Sequence, residues 1–150
     1  MFERMMVCLD GSPLAEQVIP CAREEASHFG ARLVLLQVVR VASDMVSVEN
    51  PEMVVDNVPE VPVEEKEALD YLESVAGPLR RVGLDVECAV TRESVSTGKD
   101  IINFATEKSI DLIIMSTHGR GGLSRMLFGS VAEVIMSYSR LPMLVIRPRE

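Results

Sequence analysis

The sequence predicts an α/β fold, an open five-stranded parallel sheet of order 3-2-1-4-5 with helices on both faces. Short apolar runs alternate along the chain with segments whose apolar residues recur at helical spacing, giving the order βαβαβαβαβ. The second run, Leu33-Val34-Leu35-Leu36-Gln37-Val38-Val39, is almost unbroken, as expected of a strand covered on both faces. Parallel strands joined through helices require right-handed crossovers, and these leave few topologies.

Met5 to Leu9 forms the first strand and stops at Asp10-Gly11-Ser12-Pro13, a cluster of turn and cap formers. Ser12 suits a helix cap and Pro13 the first helical position. Leu14, Val18, Cys21, Ala22, Glu25 and Phe29 then continue one helix to Gly30. Pro20 falls inside it and is expected to bend it, because proline lacks the donor for the carbonyl of Glu16. After the second strand, residues 40–62 show no sustained period and carry Pro51, Pro59 and Pro62, so they read as a long connection without assigned structure. Leu69, Leu72, Val75, Ala76 and Leu79 mark one face of the next helix, which Gly83 ends. Leu84 to Thr91 is the third strand, with Leu84, Val86, Cys88 and Val90 on one face. Thr97-x-x-Asp100 reads as a capping box opening a helix with Ile101, Phe104 and Ala105. Asp111 to Ser116 is the fourth strand. Beyond a glycine-rich loop, Val131, Val134, Ile135 and Tyr138 lie on one helical face, and Leu141 to Ile146 makes the fifth strand.

At 150 residues and 47% hydrophobic content, the chain suits a single domain over 1–150. Its net charge of −8 opposes binding to nucleic acid or an acidic membrane surface. No apolar run approaches the roughly 20 residues that span a bilayer, and residues 1–10 lack a secretory pattern, which points to the cytoplasm. Cys8, Cys21 and Cys88 have no C-x-x-C spacing, so buried reduced thiols are expected rather than a disulfide or metal site.

In such a sheet, ligands gather at the carboxyl ends of the strands where the order reverses, here strands one and four. Two segments meet there: Cys8 to Ser12, and Ser116 to Ser130. The second holds Gly119, Gly121, Gly122 and Gly129, which let backbone amides approach phosphate oxygens, and it closes on Gly129-Ser130 at a helix amino end. Arg120 and Arg125 add positive charge, and Ser124 and Ser130 add hydroxyls. Physically this is an anion cradle. Ser130-x-x-Glu133 reads equally well as a capping box, with the glycines building a tight loop. No Gly-Lys-Ser/Thr of a P-loop is present, and the first strand is followed by a single glycine, unlike a dinucleotide fingerprint. Asp10 has no paired acid at the strand end, which speaks against a receiver domain. No arrangement of acid, base or nucleophile is visible, so no catalytic residue is assigned and any turnover is expected to be slow.

These residues resemble the universal stress proteins along the whole chain: the strand ending Leu9-Asp10-Gly11-Ser12, the strand ending Gln37-Val38-Val39, and above all Asp111 to Pro148. The family's ATP-binding members carry glycine, two residues, glycine, nine residues, then glycine and serine or threonine. Gly119, the stretch Arg120 to Phe128, Gly129 and Ser130 fit that pattern, with His118 before Gly119; Ser116 stands in place of the first glycine.

The resemblance implies a Rossmann-like fold and ATP, with Mg2+, as ligand. Asp10 would contact the base or sugar, Val38 would lie against the adenine, and Met115 would border the same pocket. Gly119, Gly129, Ser130 and Val131 would contact phosphates. Leu9, Ser116, His118 and Arg120 complete the candidate set. Asp10 could instead simply cap the first helix, and His118 could orient the loop by a hydrogen bond. A side chain at Gly129 would exclude a phosphate by volume with the fold intact. Met143 to Ile146 forms an apolar edge with no charge before Arg147, and the family pairs this strand antiparallel, so a homodimer is expected. Three functions remain open: an ATP-responsive regulatory module, a dimeric interaction protein without nucleotide, and a slow ATPase or phosphotransferase.

Overall fold

The apolar runs become the strands of one sheet. In chain order the elements are β1 (Arg4–Cys8), α1 (Pro13–Glu16), α2 (Ile19–Phe29), β2 (Arg32–Val39), α3 (Val63–Arg81), β3 (Val86–Arg92), α4 (Thr97–Glu107), β4 (Leu112–Ser116), α5 (Ser130–Tyr138) and β5 (Met143–Ile146). The structure, a computed structural model, describes residues 1–40, 62–117 and 128–149. The connection expected over 40–62 therefore lies, from 41 to 61, outside the described residues. The strands pair in the order β3-β2-β1-β4-β5, all parallel, as the sequence predicts.

Alternation along β1 sorts its side chains between two cores. Met5, Val7 and Leu9 join Leu33, Leu35 and Ile114 beneath α2 and α3. Met6 joins Val34, Leu36, Ile113 and Met115 beneath α4 and α5. Asp111 accepts the Glu3 N–H at 2.7 Å, tying the start of β1 to the start of β4.

Several local expectations are corrected. Pro20 does not bend one continuous helix. The chain breaks at Gln17 and Val18, and α2 restarts with Pro20 in its first turn, where an N–H would have no partner within the helix. Leu69 is 43% exposed, and the buried stripe of α3 is Ala68, Leu72, Ala76 and Leu79. Two alanines carry that face because they let the helix approach the sheet closely. The box Thr97-x-x-Asp100 does not form. Ser96 caps α4 by accepting the Lys99 N–H, while Asp100 reaches back to the Ser94 N–H at 2.8 Å, the Ser94 hydroxyl at 2.6 Å and the Val95 N–H at 3.4 Å. The three cysteines are free but only half-buried. Burial still pushes the Cys8 thiol up to about 12 and, with the nearby Glu73 charge adding, Cys88 to about 11. Among the described residues, no helix is long and apolar enough to cross a membrane.

Candidate functional site

At the end of β1, Leu9 is buried and its N–H continues the sheet to the Leu36 carbonyl at 2.9 Å. The next turn is sharp. Asp10 Oδ1 accepts the Ser12 N–H at 2.9 Å, and Gly11 takes a φ of +79°, a conformation that glycine adopts without steric cost. Ser12 Oγ then accepts the Ala15 N–H at 3.2 Å, so Ser12 caps α1 as expected and Asp10 braces the turn before it. Tyr71, on α3, donates its hydroxyl to Glu16 Oε1 at 3.0 Å. Burial raises that phenol well above its ordinary range, and the Glu16 bond and the Glu16 and Asp10 charges add to the shift. Glu16 and Asp10 thus place two carboxylates near this phenol.

The end of β4 meets a different partner. Met115, Ser116 and Thr117 are buried. The Thr117 N–H donates to the Ile146 carbonyl at 3.0 Å, and its carbonyl accepts the Gly129 N–H at 2.7 Å. Gly129 is the N-cap of α5 and supplies no side-chain cap. The expected box of Ser130 and Glu133 is therefore absent. Ser130 is the first helical residue, and the Glu133 N–H bonds to the Gly129 carbonyl at 3.0 Å. Among the described residues no side chain caps α5, and a helix amino end of this kind presents backbone donors and the positive end of the helix dipole.

Why position 129 is glycine also follows from the geometry. A Cβ there would stand 2.6 Å from the Thr117 carbonyl oxygen. The expectation that a side chain at 129 leaves the fold intact is thereby overturned, since it would strike backbone before it met any ligand. A second glycine, Gly98 of α4, was not singled out from the sequence. A Cβ there would lie 2.7 Å from Val134, so it sets the close approach of α4 to α5.

The candidate residues separate by face. Val38, Met115 and Val131 come together on the α4 and α5 side, whereas Leu9 points into the α2 and α3 core. Ser130 is exposed at the start of α5. His118, Gly119 and Arg120 lie outside the described residues, as do Arg125, Ser124, Gly121 and Gly122. Sequence reasoning missed Thr117, whose backbone joins β5 to α5, and Tyr71. Neither carries a local motif. An apolar hollow of about 350 Å³ between α2 and α3, lined by Ile19, Pro20, Arg23, Pro78, Leu79 and Val82, is lined by none of the candidate residues.

Comparison with known proteins agrees with this architecture. The profile of the Universal stress protein family matches residues 1–147. The chain is 31% identical to the universal stress protein YxiE of Bacillus subtilis over 98% of its own length and 100% of that protein. Among solved structures, protein MJ0577 of Methanocaldococcus jannaschii aligns with a TM-score of 0.78 at 24% identity, covering 100% of this chain and 99% of the other. A universal stress protein in complex with cAMP aligns with a TM-score of 0.69 at 17% identity, covering 99% and 98%. One from Archaeoglobus fulgidus in complex with dAMP aligns at 0.65 and 21%, covering 98% of each chain. The strand order matches the expectation, and the family profile extends over nearly every residue. This chain belongs to the universal stress protein family.

Proposed function

We propose that the chain binds an adenine nucleotide, ATP, at the carboxyl ends of β1 and β4, and acts as a homodimeric regulatory module of the stress response. The observation that carries this is the amino end of α5, which begins on a glycine held against Thr117 and has no side-chain cap. An uncapped helix end at the point where the strand order reverses suits a phosphate. Val38, Met115 and Val131, gathered on one face, would flank the base, and Asp10 the sugar. The cAMP and dAMP complexes of two fold relatives support the ligand class. Among the described residues, no group of three or more His, Cys, Asp or Glu is placed to hold a metal ion. The Mg2+ expected with ATP would therefore ride on the phosphates. His118, Gly119 and Arg120 would complete the phosphate contacts.

The single functional unit spans 1–150 and works in the cytoplasm. Self-association proceeds through β5, whose four residues are all apolar and only half-buried within one chain. Ser116, in place of the first motif glycine, favours one rival reading, an interaction protein of the same fold without a ligand. Mass spectrometry of small molecules released on denaturing freshly purified protein separates the two. Adenine nucleotide in near one-to-one ratio is expected, and a preparation with none, joined by silent calorimetry with added ATP, contradicts the proposal. Hydrolysis, if present, takes minutes or longer per ATP. Turnover at about 10 per second, a median enzyme's pace, would assign a different class.

A further inference from the structure

The break between α1 and α2 puts Gln17 against the chain that follows β5. Gln17 Nε2 donates to the Arg149 carbonyl at 2.7 Å, and Gln17 Oε1 accepts the Arg149 N–H at 2.7 Å. A carboxamide carries the same donor and acceptor as a peptide unit, so the pair satisfies both backbone groups of Arg149 as a neighbouring strand would.

The rest of the edge can be read from its inner bonds. Pro142 and Ile146 turn their carbonyls inward, to the Ile113 and Thr117 N–H groups, each at 3.0 Å. Alternation along a strand then turns the N–H and C=O of Met143 and Val145 to the unpaired side. Past Ile146, the same alternation sets Arg147 on the unpaired side and Pro148, which has no N–H, on the inner one. At Arg149 both groups are already engaged.

We propose that Gln17 is an end stop for the open sheet edge, fixing the tail so that a second copy of this chain pairs only with the stretch before Arg149. The inference rests on the edge-pairing reading of β5 given above. Freed from Gln17, the tail adds the N–H and C=O of Arg149 to the row of unpaired groups. The edge then admits shifted registers, and the tail must be ordered anew whenever two copies meet.

The test compares wild type, Gln17→Ala and Gln17→Glu by sedimentation equilibrium, with amide hydrogen exchange read at Arg149 and Val145. Gln17→Ala removes both bonds and is expected to raise the dimer dissociation constant roughly two- to tenfold, the net worth of about one hydrogen bond, since both are also lost from the free chain. It is also expected to strip protection from the Arg149 amide, with the unfolding temperature lowered only slightly. Gln17→Glu keeps the acceptor for the Arg149 N–H and loses the donor, so its Arg149 protection falls between the two. A dimer whose dissociation constant ignores Gln17 overturns this role alone. A wild-type chain that stays monomeric at micromolar concentration overturns the edge reading and the role together.

Discussion

The half of the molecule around β3 and α4 is closed, whereas the half around β4, α5 and β5 is open. The amino end of α4 is capped by Ser96, and its first turns are bound back to the incoming chain by Asp100, which is 6% exposed. The amino end of α5 has no side-chain cap. The edges differ in the same sense. Around β3, Arg4 pairs with Glu87, Arg32 with Asp85, Arg40 with Glu93 and Arg92 with Glu65. Such exposed pairs add little stability, yet charge along a strand discourages a second chain from docking. The edge strand β5 is Met-Leu-Val-Ile throughout. The uncapped helix end and the uncharged edge strand thus lie on the same side of the sheet, and that side is where ligand and partner are proposed to bind.

The largest effect is expected from breaking the open helix end. Gly129→Val drives a side chain into the Thr117 carbonyl, 2.6 Å from the Cβ position. It should lower stability by about 1–3 kcal/mol, the usual cost of overpacking, and reduce ATP affinity by about a hundredfold or more, some 2.7 kcal/mol. Thermal unfolding and calorimetry read the two losses separately. Unchanged stability would show that Gly129 does not sit against Thr117.

Breaking the open edge comes next. Val145→Lys places a charge where β5 is otherwise apolar and should weaken the dimer by roughly a hundredfold. Thr91→Lys, on the charged edge, should leave self-association unchanged. Analytical ultracentrifugation of both variants checks this, and equal effects would erase the distinction between the edges.

The closed helix end offers a pH signature. Burial alone would raise the Asp100 carboxyl, but the Ser94 hydroxyl and the Ser94 and Val95 amides outweigh it and hold the group below its ordinary value. A carboxyl depressed in the folded state stabilises above its unfolded value of about 3.9 and loses that contribution as pH falls through the lower folded value. Asp100→Asn should therefore cost about 1–2 kcal/mol near neutrality and make stability less steep in acid, without altering ATP affinity. Unfolding temperatures measured down the acid range read this directly. A steeper acid limb in the variant would reverse the sign argued here.

The smallest effect is expected at Ser116. It is 7% exposed, so little of it is open to a ligand from solvent. Ser116→Gly should change ATP affinity by about threefold or less, within the worth of one weak hydrogen bond. A calorimetric change beyond about tenfold, in either direction, would mean that this side chain meets the nucleotide.

The sheet was legible because both of its faces are buried, and burial writes itself into a sequence as apolar runs such as Leu33 to Leu36. Helix ends were less legible. Ser96 caps α4 one residue before the expected position because Asp100 bonds backward to Ser94, and a spacing rule cannot see that. Pro20 looked like a bend because the pattern continued across it, whereas the chain breaks and restarts. Of the site, the glycine at 129 was found for its approach to a ligand, but its backbone reason lies at Thr117, well before it in the chain. Tyr71 with Glu16, and Gln17 with Arg149, leave no local trace, the latter pair being 132 positions apart.

The most direct test of the central claim is an ATP titration of the nitrogen-15-labelled chain followed by amide chemical shifts. The account predicts saturable shifts concentrated at Ser130, Val131 and Ala132 and at Asp10 to Ser12, with Thr97 to Lys99 at the capped end of α4 unmoved. Shifts at both helix ends alike, or none up to millimolar ATP, would contradict it.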